Sequence, residues 1–157
     1  MGLGLAIAIC VRLLLVLLFL PFSALDKILD FRGAVAQARQ AAPAGVAVAM
    51  ILAGLGVEVG MSSLILAGVF DRAAALVLAG YCVVTALLWK QFWRPGDFWS
   101  NGAGKARALF WDFWKNLALA GGFLLLTFGP SAGSARSFIA HPLASSRPYD
   151  LSAGVRR

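Results

Sequence analysis

Histidine, cysteine and charged residues are all scarce in this chain, and each shortage excludes a class of site. The one histidine, His141, lies in the C-terminal tail, so we expect no histidine-ligated haem or metal site among the hydrophobic segments. Cys10 and Cys82 lie far apart in apolar runs without a Cys-x-x-Cys motif, which argues against a dithiol redox centre or a thiolate zinc site. Glycine-rich phosphate loops and nucleophile elbows are also absent. We therefore expect no intrinsic metal or cofactor, and no catalytic residue can be named.

Charged residues make up only 13% of the 157 residues, whereas hydrophobic residues make up 61%. A soluble domain carries roughly 25% charged residues, so the shortfall indicates a protein that is surrounded by lipid. Fourteen Lys or Arg against seven Asp or Glu give a formal net charge of +7. Because most of the basic residues flank hydrophobic stretches, the expected partners are anionic lipid headgroups. No soluble basic domain is present that would bind nucleic acid.

Four apolar stretches predict four transmembrane helices. A helix needs about 20 apolar residues to cross a bilayer, and it satisfies its own backbone groups in lipid. The first stretch, about residues 3–25, holds Arg12 inside its apolar core, whereas a secretory signal peptide carries its charge before that core. We therefore interpret it as a retained helix. The other stretches cover about residues 44–70, 73–92 and 110–128. Residues 1–130 are thus predicted to form an all-α, integral-membrane four-helix bundle with both termini on the same side.

The connections between these stretches are polar. Residues 26–43 link the first two, and within them residues 31–42 are expected to form a short helix at the membrane interface. Asp71 and Arg72 form a tight turn, and residues 93–109 form a loop that contains Pro-Gly and Asn-Gly pairs. The polar, basic tail, residues 131–157, lacks the apolar content for a second domain. We expect it to be extended or pinned to a partner.

Positive charge near the spans gives a weak indication of orientation. We call the side that holds the termini side A and the opposite side side B. Seven Lys or Arg fall on side B and five on side A, which leans toward side B being cytoplasmic. The side-B residues are Lys27, Arg32, Arg39, Lys90, Arg94, Lys105 and Arg107, and the side-A residues are Arg72, Arg136, Arg147, Arg156 and Arg157.

Arg12 and Glu58 are the most informative charges, because an ionisable group within a span costs at least about 2.5–3.5 kcal/mol. At 1.5 Å per residue, Arg12 lies roughly 13 Å from side A and Glu58 roughly 18 Å from it. In antiparallel neighbours these depths predict a buried ion pair. One interpretation is a structural bridge between the two helices. The other is a polar pocket that binds a quinone headgroup, a proton or a small solute.

The fourth span adds a polar face near side B. Asp112, Lys115 and Asn116 lie three or four residues apart, which places them on one face of a helix. Lys115 either reaches the interface with its ammonium group or joins the polar cluster of Arg12 and Glu58. An amide such as that of Asn116 needs a partner on another helix at this depth.

All five tryptophans fall on side B, interleaved with phenylalanines. This is typical of an aromatic belt at a membrane interface. The alternative is a ring-binding surface for a quinone or a lipid at the mouth of the bundle. The five residues are Trp89, Trp93, Trp99, Trp111 and Trp114.

The chain resembles the DoxX family of small bacterial membrane proteins in five sequence blocks. These are Arg12-Leu-Leu-Leu, Leu25-Asp26-Lys27, Glu58-Val-Gly60, Gly68-Val-Phe-Asp-Arg72-Ala-Ala, and Phe113-Trp-Lys115-Asn116 followed by Leu-Ala-Leu-Ala-Gly-Gly122. The chain departs from the family at Ser23-Ala24, where a glycine is common, and in its aromatic loop before the fourth span. The tail beyond Pro130 is not covered. Lys27 and Arg72 therefore join the candidate residues as positions that match the family.

The resemblance implies a four-helix fold in the bacterial inner membrane and a link to redox metabolism. The leading hypothesis is a small subunit or accessory protein of a quinone-linked membrane system, more a non-catalytic subunit than a self-contained enzyme, with other membrane subunits as partners. Its polar interior would admit a quinone headgroup or a lipid. The alternatives are a structural or assembly subunit that docks a larger complex, and a transporter for protons or small solutes.

Overall fold

A computed structural model describes residues 2–100 and 104–150, and within them the chain is helical with no strand. This confirms the predicted all-α class. The elements, in chain order, are α1 Leu3–Val16, a π-helical turn Leu18–Ser23, α2 Ala24–Leu29, α3 Phe31–Ala38, α4 Ala44–Ala67, α5 Asp71–Trp89, α6 Lys105–Phe128 and α7 Ala132–Ala140.

Among the described residues, three helices are long and apolar enough to cross a membrane, or four if one bent helix pair is counted as a span. The segments Leu3–Leu29, Ala44–Ala67 and Asp71–Trp89 are each long and apolar enough. Helix α6 is long and apolar enough only when it is counted together with α7, and the axes of these two helices differ by 75°. The charged and polar residues near the start of α6 lower its hydropathy. The structure therefore supports a multi-span membrane protein.

The first span is broken near its middle, whereas the sequence predicted one helix over residues 3–25. Leu20 has an extended backbone, with φ −122° and ψ 108°, and the next residue is Pro21. Proline lacks the N–H that would continue the helical hydrogen bonds, and its ring crowds the preceding turn. The chain resumes as α2 and continues to Leu29, so Lys27 belongs to the span and not to a loop.

The long helices pack in a ring. Helix α5 lies along both α4 and α6, while α1 packs against α4 and, over a shorter stretch, against α6. Alanines on α5 let its neighbours approach closely, as small residues do in membrane helices. The buried centre of this bundle is apolar. Its larger members are Val16, Phe19, Ile65, Leu78, Cys82 and Phe123.

The C-terminal part covers the bundle end that carries the α4–α5 turn, which we continue to call side A; the end with the loop before α6 is side B. Ser131 is the N-cap of helix α7, and its side chain and that of Ser134 bond each other's backbone in a capping box. Residues 141–150 then pass over the α4–α5 turn, where Phe70 N–H donates to Ser145 Oγ at 2.9 Å. The described part of the tail, residues 131–150, is thus pinned to its own bundle. The expectation that it is extended is wrong for residues 132–140.

Candidate functional site

The part of the chain that the structure describes holds two separate buried clusters of charged residues, and the predicted Arg12–Glu58 ion pair is wrong. Arg12 pairs with Asp71 near side A, and Glu58 pairs with Lys27 nearer side B. Every side chain on an α-helix leans toward the helix N-terminus. Because α1 and α4 run in opposite directions, Arg12 leans toward side A and Glu58 toward side B. The similar depths of their backbones in the membrane therefore do not bring the charges of Arg12 and Glu58 together.

The side-A cluster is a closed ion pair. Arg12 Nη2 lies 2.7 Å from Asp71 Oδ2, and Arg12 Nη1 donates to the carbonyl of Ile65 at 3.4 Å. Ser146 in the tail accepts from Arg12 Nη2 at 2.8 Å and donates its backbone N–H to Asp71 Oδ1 at 2.8 Å. Arg12 is 4% exposed and Asp71 is fully buried. Each charge is compensated, which indicates a structural role for this cluster.

Arg72, which matched the family pattern, ties the tail helix to the bundle. Its guanidinium donates to the carbonyls of Thr127 and Ser134 at 2.7 Å each and lies 5.1 Å from the centre of the Phe138 ring. Thr127 Oγ1 donates back to the carbonyl of Arg72 at 3.0 Å. These contacts hold α5, α6 and α7 together at side A, so Arg72 also acts structurally.

The second cluster is centred on Glu58, which is 1% exposed. Lys27 Nζ lies 2.8 Å from Oε1 and 3.0 Å from Oε2 of this carboxylate. Ser23 Oγ and Tyr81 Oη donate to Oε1 at 3.0 and 2.8 Å. Lys27 Nζ also donates to Ser23 Oγ at 2.6 Å. The carboxylate of Glu58 on α4 is therefore bound by side chains from the π-helical turn, α2 and α5.

A glycine makes room for the tyrosine of this cluster. Gly54 precedes Glu58 by one helical turn, and a Cβ built on it would lie 3.1 Å from Tyr81 Oη. That distance is shorter than an ordinary contact, so a larger residue at this position would displace the phenol. The glycine at position 54 thus lets α5 bring its hydroxyl to the carboxylate.

The Glu58 cluster forms part of the wall of a cavity of about 810 Å³ between the helices. Small-molecule sites commonly enclose about 300–1,000 Å³. The cavity has an apolar side, to which Phe19, Val57 and Leu119 contribute, and α3 covers part of it with Ala34 and Gln37. Helix α6 and the end of α5 supply further polar groups. These are Lys90, Asp112, Lys115 and Asn116.

The α6 residues that the sequence singled out line this cavity, but they are not all buried. Lys115 has a side chain that is 73% exposed, and its Nζ lies 3.8 Å from Asp112 Oδ1. Asp112 is closer to Lys90, with 3.1 Å between Oδ2 and Nζ. Asn116 Nδ2 donates to the backbone carbonyl of Asp112 on its own helix at 3.1 Å. The predicted single cluster of Arg12, Glu58, Lys115 and Asn116 is thus divided, with Arg12 outside the cavity.

The tryptophans gather at side B in a network of rings. Phe92 contacts the rings of Trp93, Phe98, Phe110 and Phe113, with centroids 5.1–6.3 Å apart. Four tryptophans are about half exposed or more, whereas Trp89 is partly buried and lines the cavity. This position agrees with an interfacial belt and places one indole at the cavity wall. The four exposed residues are Trp93, Trp99, Trp111 and Trp114.

Asp97 in the side-B loop fixes the start of α6. Its carboxylate accepts the backbone N–H of Ala106 at 2.9 Å and that of Lys105 at 2.8 Å. These hydrogen bonds, that of Ala106 above all, lower the pKa of Asp97 below its ordinary value. The charged carboxylate at a helix N-terminus also interacts favourably with the helix dipole. The loop therefore sets the position of the cavity residues on α6.

Sequence reasoning missed four residues of the two clusters: Ser23, Asp71, Tyr81 and Ser146. Ser23 precedes Lys27 by four residues, a spacing that places both on one helix face and was a usable signal. Asp71 looked like part of a surface turn. Tyr81 and Ser146 carried no local signal, because their partners lie 23 or more residues away in the chain.

Comparison with known proteins agrees with the sequence pattern. Residues 7–91 match the DoxX family. The chain is 33% identical over 124 residues to the inner membrane protein YphA of Escherichia coli (strain K12), covering 77% of this chain and 81% of that protein. No solved structure matches the chain. The family match contains Arg12, Lys27, Glu58 and Asp71, and it ends before the cavity residues of α6.

Proposed function

This chain belongs to the DoxX family, and from that premise we propose that it is a small accessory subunit of a quinone-linked redox system. It resides in the bacterial inner membrane, as its relative YphA, an inner membrane protein, does. Four segments cross the bilayer, namely Leu3–Leu29, α4, α5 and α6, and both termini lie on the same side. The cavity beside Glu58 receives the ring of a quinone.

The observation that supports this proposal is a buried carboxylate on the wall of a cavity that is otherwise largely apolar. A charge within a span costs at least about 2.5–3.5 kcal/mol, and such residues are functional candidates for that reason. A fully enclosed ion pair would satisfy a structural role, as Arg12 and Asp71 do. Glu58 and Lys27 instead border about 810 Å³ of open space. This arrangement favours a ligand that is mostly apolar and has a few polar atoms.

The distribution of polar groups around the cavity fits a ring with oxygen atoms at two positions. One wall offers Glu58, Lys27 and Tyr81, and another offers Asp112 and Asn116. A ring carbonyl would take over a hydrogen bond that Lys27 or Tyr81 otherwise donates to Glu58, and Glu58 is an acceptor for a hydroxyl hydrogen. The chain thereby binds and orients the ring, while electrons would come from the cofactor of a partner subunit.

Binding of a quinone to the purified protein tests this proposal. Isothermal titration calorimetry in detergent should give saturable binding of a benzoquinone, and Glu58→Gln should weaken it about tenfold or more, a loss of about 1.4 kcal/mol or more. Asp71→Asn is the matched control, because it neutralises a buried carboxylate that lies outside the cavity. It should leave the affinity within about twofold. Absence of saturable binding, or equal losses in both variants, would refute the proposal.

The exposed rings of side B favour a second function, that of an assembly subunit without a ligand. At this side four tryptophans are about half exposed or more, and tryptophan is enriched both at membrane interfaces and in protein interfaces. They are Trp93, Trp99, Trp111 and Trp114. In that case Trp99→Ala with Trp111→Ala should release co-purifying subunits while Glu58→Gln should retain them. The opposite pattern would favour the quinone site.

A further inference from the structure

We infer that the cavity takes its ligand from the bilayer through a cleft between α2 and α6, and that the ligand carries a hydrocarbon chain that remains in this cleft. The inference rests on the proposed function, because it concerns the same cavity. It goes further in naming the chemical class: a ring borne on an alkyl or isoprenoid chain, and not a water-borne ring or solute.

The first and last long helices touch tightly at one level. A Cβ built on Gly122 of α6 would lie 2.9 Å from Leu15 Cδ2 of α1, so the missing side chain lets the two helices meet there. Phe19 follows Leu15 by four residues and Phe123 follows Gly122 directly, and the ring centroids of Phe19 and Phe123 lie 5.8 Å apart. These contacts close the seam between α1 and α6 below the cavity.

Toward side B the same seam opens. The π-helical turn at Leu18–Ser23 redirects the first span, and α2 packs against α3 and α4, whereas α6 stays along α5. The hydrogen bonds of Lys27 to Glu58 hold α2 on the α4 side. The cavity lies where the first and last spans diverge, because residues from both line it.

The edges of this cleft change from apolar to charged along the membrane normal. Leu18 and Leu119 line the cavity farther from side B, and Leu18 is 48% exposed. Asp26 and Lys115 also line the cavity, come nearer side B in their helices and are exposed. A long lysine side chain at such a height reaches the headgroup level with its ammonium group.

This change from apolar to charged residues indicates which ligand the cavity and its cleft would hold. A ring in the cavity has its polar atoms beside Glu58 and Asn116, and an attached chain would leave over Leu18 and Leu119 into lipid. Each buried methylene contributes about 0.8 kcal/mol, so a chain held at this exit adds substantially to affinity. A polar solute would gain nothing from an apolar exit at this depth.

Calorimetric titration of two ligands tests the inference. The first is dimethoxy-methyl-benzoquinone without a side chain, and the second is the same ring with a decyl chain. Leu18→Trp narrows the cleft and should weaken binding of the decyl compound about tenfold, while binding of the chainless ring stays within about twofold. Leu17→Trp adds the same bulk at an adjacent position, 42% exposed, that does not line the cavity, and should change neither affinity.

The outcomes separate this inference from the proposed function. Retained binding of the chainless ring shows that Leu18→Trp is folded, so a selective loss of the decyl compound supports the cleft. Equal affinities of the wild-type protein for both compounds, or equal effects of Leu18→Trp on both, would overturn the inference and leave the quinone site standing. Failure of the wild-type protein to bind either compound would refute both.

Discussion

Removing one partner of the Arg12–Asp71 pair is expected to destabilise the bundle far more than removing both. Arg12→Met leaves a buried carboxylate, and Asp71→Leu leaves a buried guanidinium, in a site where the two residues are 4% and 0% exposed. Breaking a buried pair in this way costs about 3–5 kcal/mol. The double variant leaves no uncompensated charge, and only the polar groups of Ser146 and Ile65 lose their partners.

The loss of unfolding free energy expected for the double variant follows from those lost hydrogen bonds. Ser146 keeps access to solvent because it is exposed, so its N–H is solvated by water. The carbonyl of Ile65 lies in a helix and loses only a long 3.4 Å contact. We therefore expect the double variant to cost about 1–3 kcal/mol, the penalty of one unsatisfied buried group, instead of the about 6–10 kcal/mol that the costs of the two single variants add up to.

The assay is a double-mutant cycle of unfolding free energies in detergent micelles. The matched control is the exposed pair of Lys90 and Asp112, at 3.1 Å with side chains 32% and 42% exposed, in the cycle Lys90→Met and Asp112→Leu. Its coupling energy should be about 0–1 kcal/mol, because solvent screens the pair. If the coupling of Arg12 with Asp71 were no larger than this, the assignment of a buried, desolvated pair at side A would be wrong.

Three further predictions concern the tail, the cavity and the loop. Ser146→Ala removes a hydroxyl that bonds both charges of the side-A pair, so the unfolding free energy should fall by about 1.5–3 kcal/mol, whereas exposed Ser137→Ala should change it by less than about 0.5 kcal/mol. Gly54→Ala forces Tyr81 away from Glu58 and should lower both the melting temperature and quinone affinity. Gly56→Ala adds a Cβ that meets no atom within 4 Å, so it should be neutral or slightly stabilising. Asp97 has a depressed pKa in the folded state, so its stabilising contribution is present above the unfolded-state value of 3.8 and is lost as pH falls through the folded value. The difference in melting temperature between wild type and Asp97→Asn should therefore be largest near neutral pH and vanish in acid; a difference that persists in acid would contradict the proposed cap.

The fold class was predictable because the relevant signal is local. A run of about 20 apolar residues can satisfy its backbone in lipid only as a helix, whatever it packs against. The predicted spans at residues 44–70 and 73–92 correspond to α4 and α5, with ends that differ by up to three residues. Pro21 marked a break that sequence reasoning passed over, although proline within a helix is a recognised cause of one.

The sequence by itself thus determined that the chain is an all-α membrane protein with ionisable residues inside its spans. It did not determine which charges meet, because a pairing depends on the rotation of each helix and the direction in which its side chains lean. For that reason Arg12 forms its ion pair with Asp71 and not with Glu58. Only the tertiary structure brought Lys27, Glu58 and Tyr81 to one wall of a cavity, because their positions follow from the break at Leu20 and Pro21 and from close packing at Gly54.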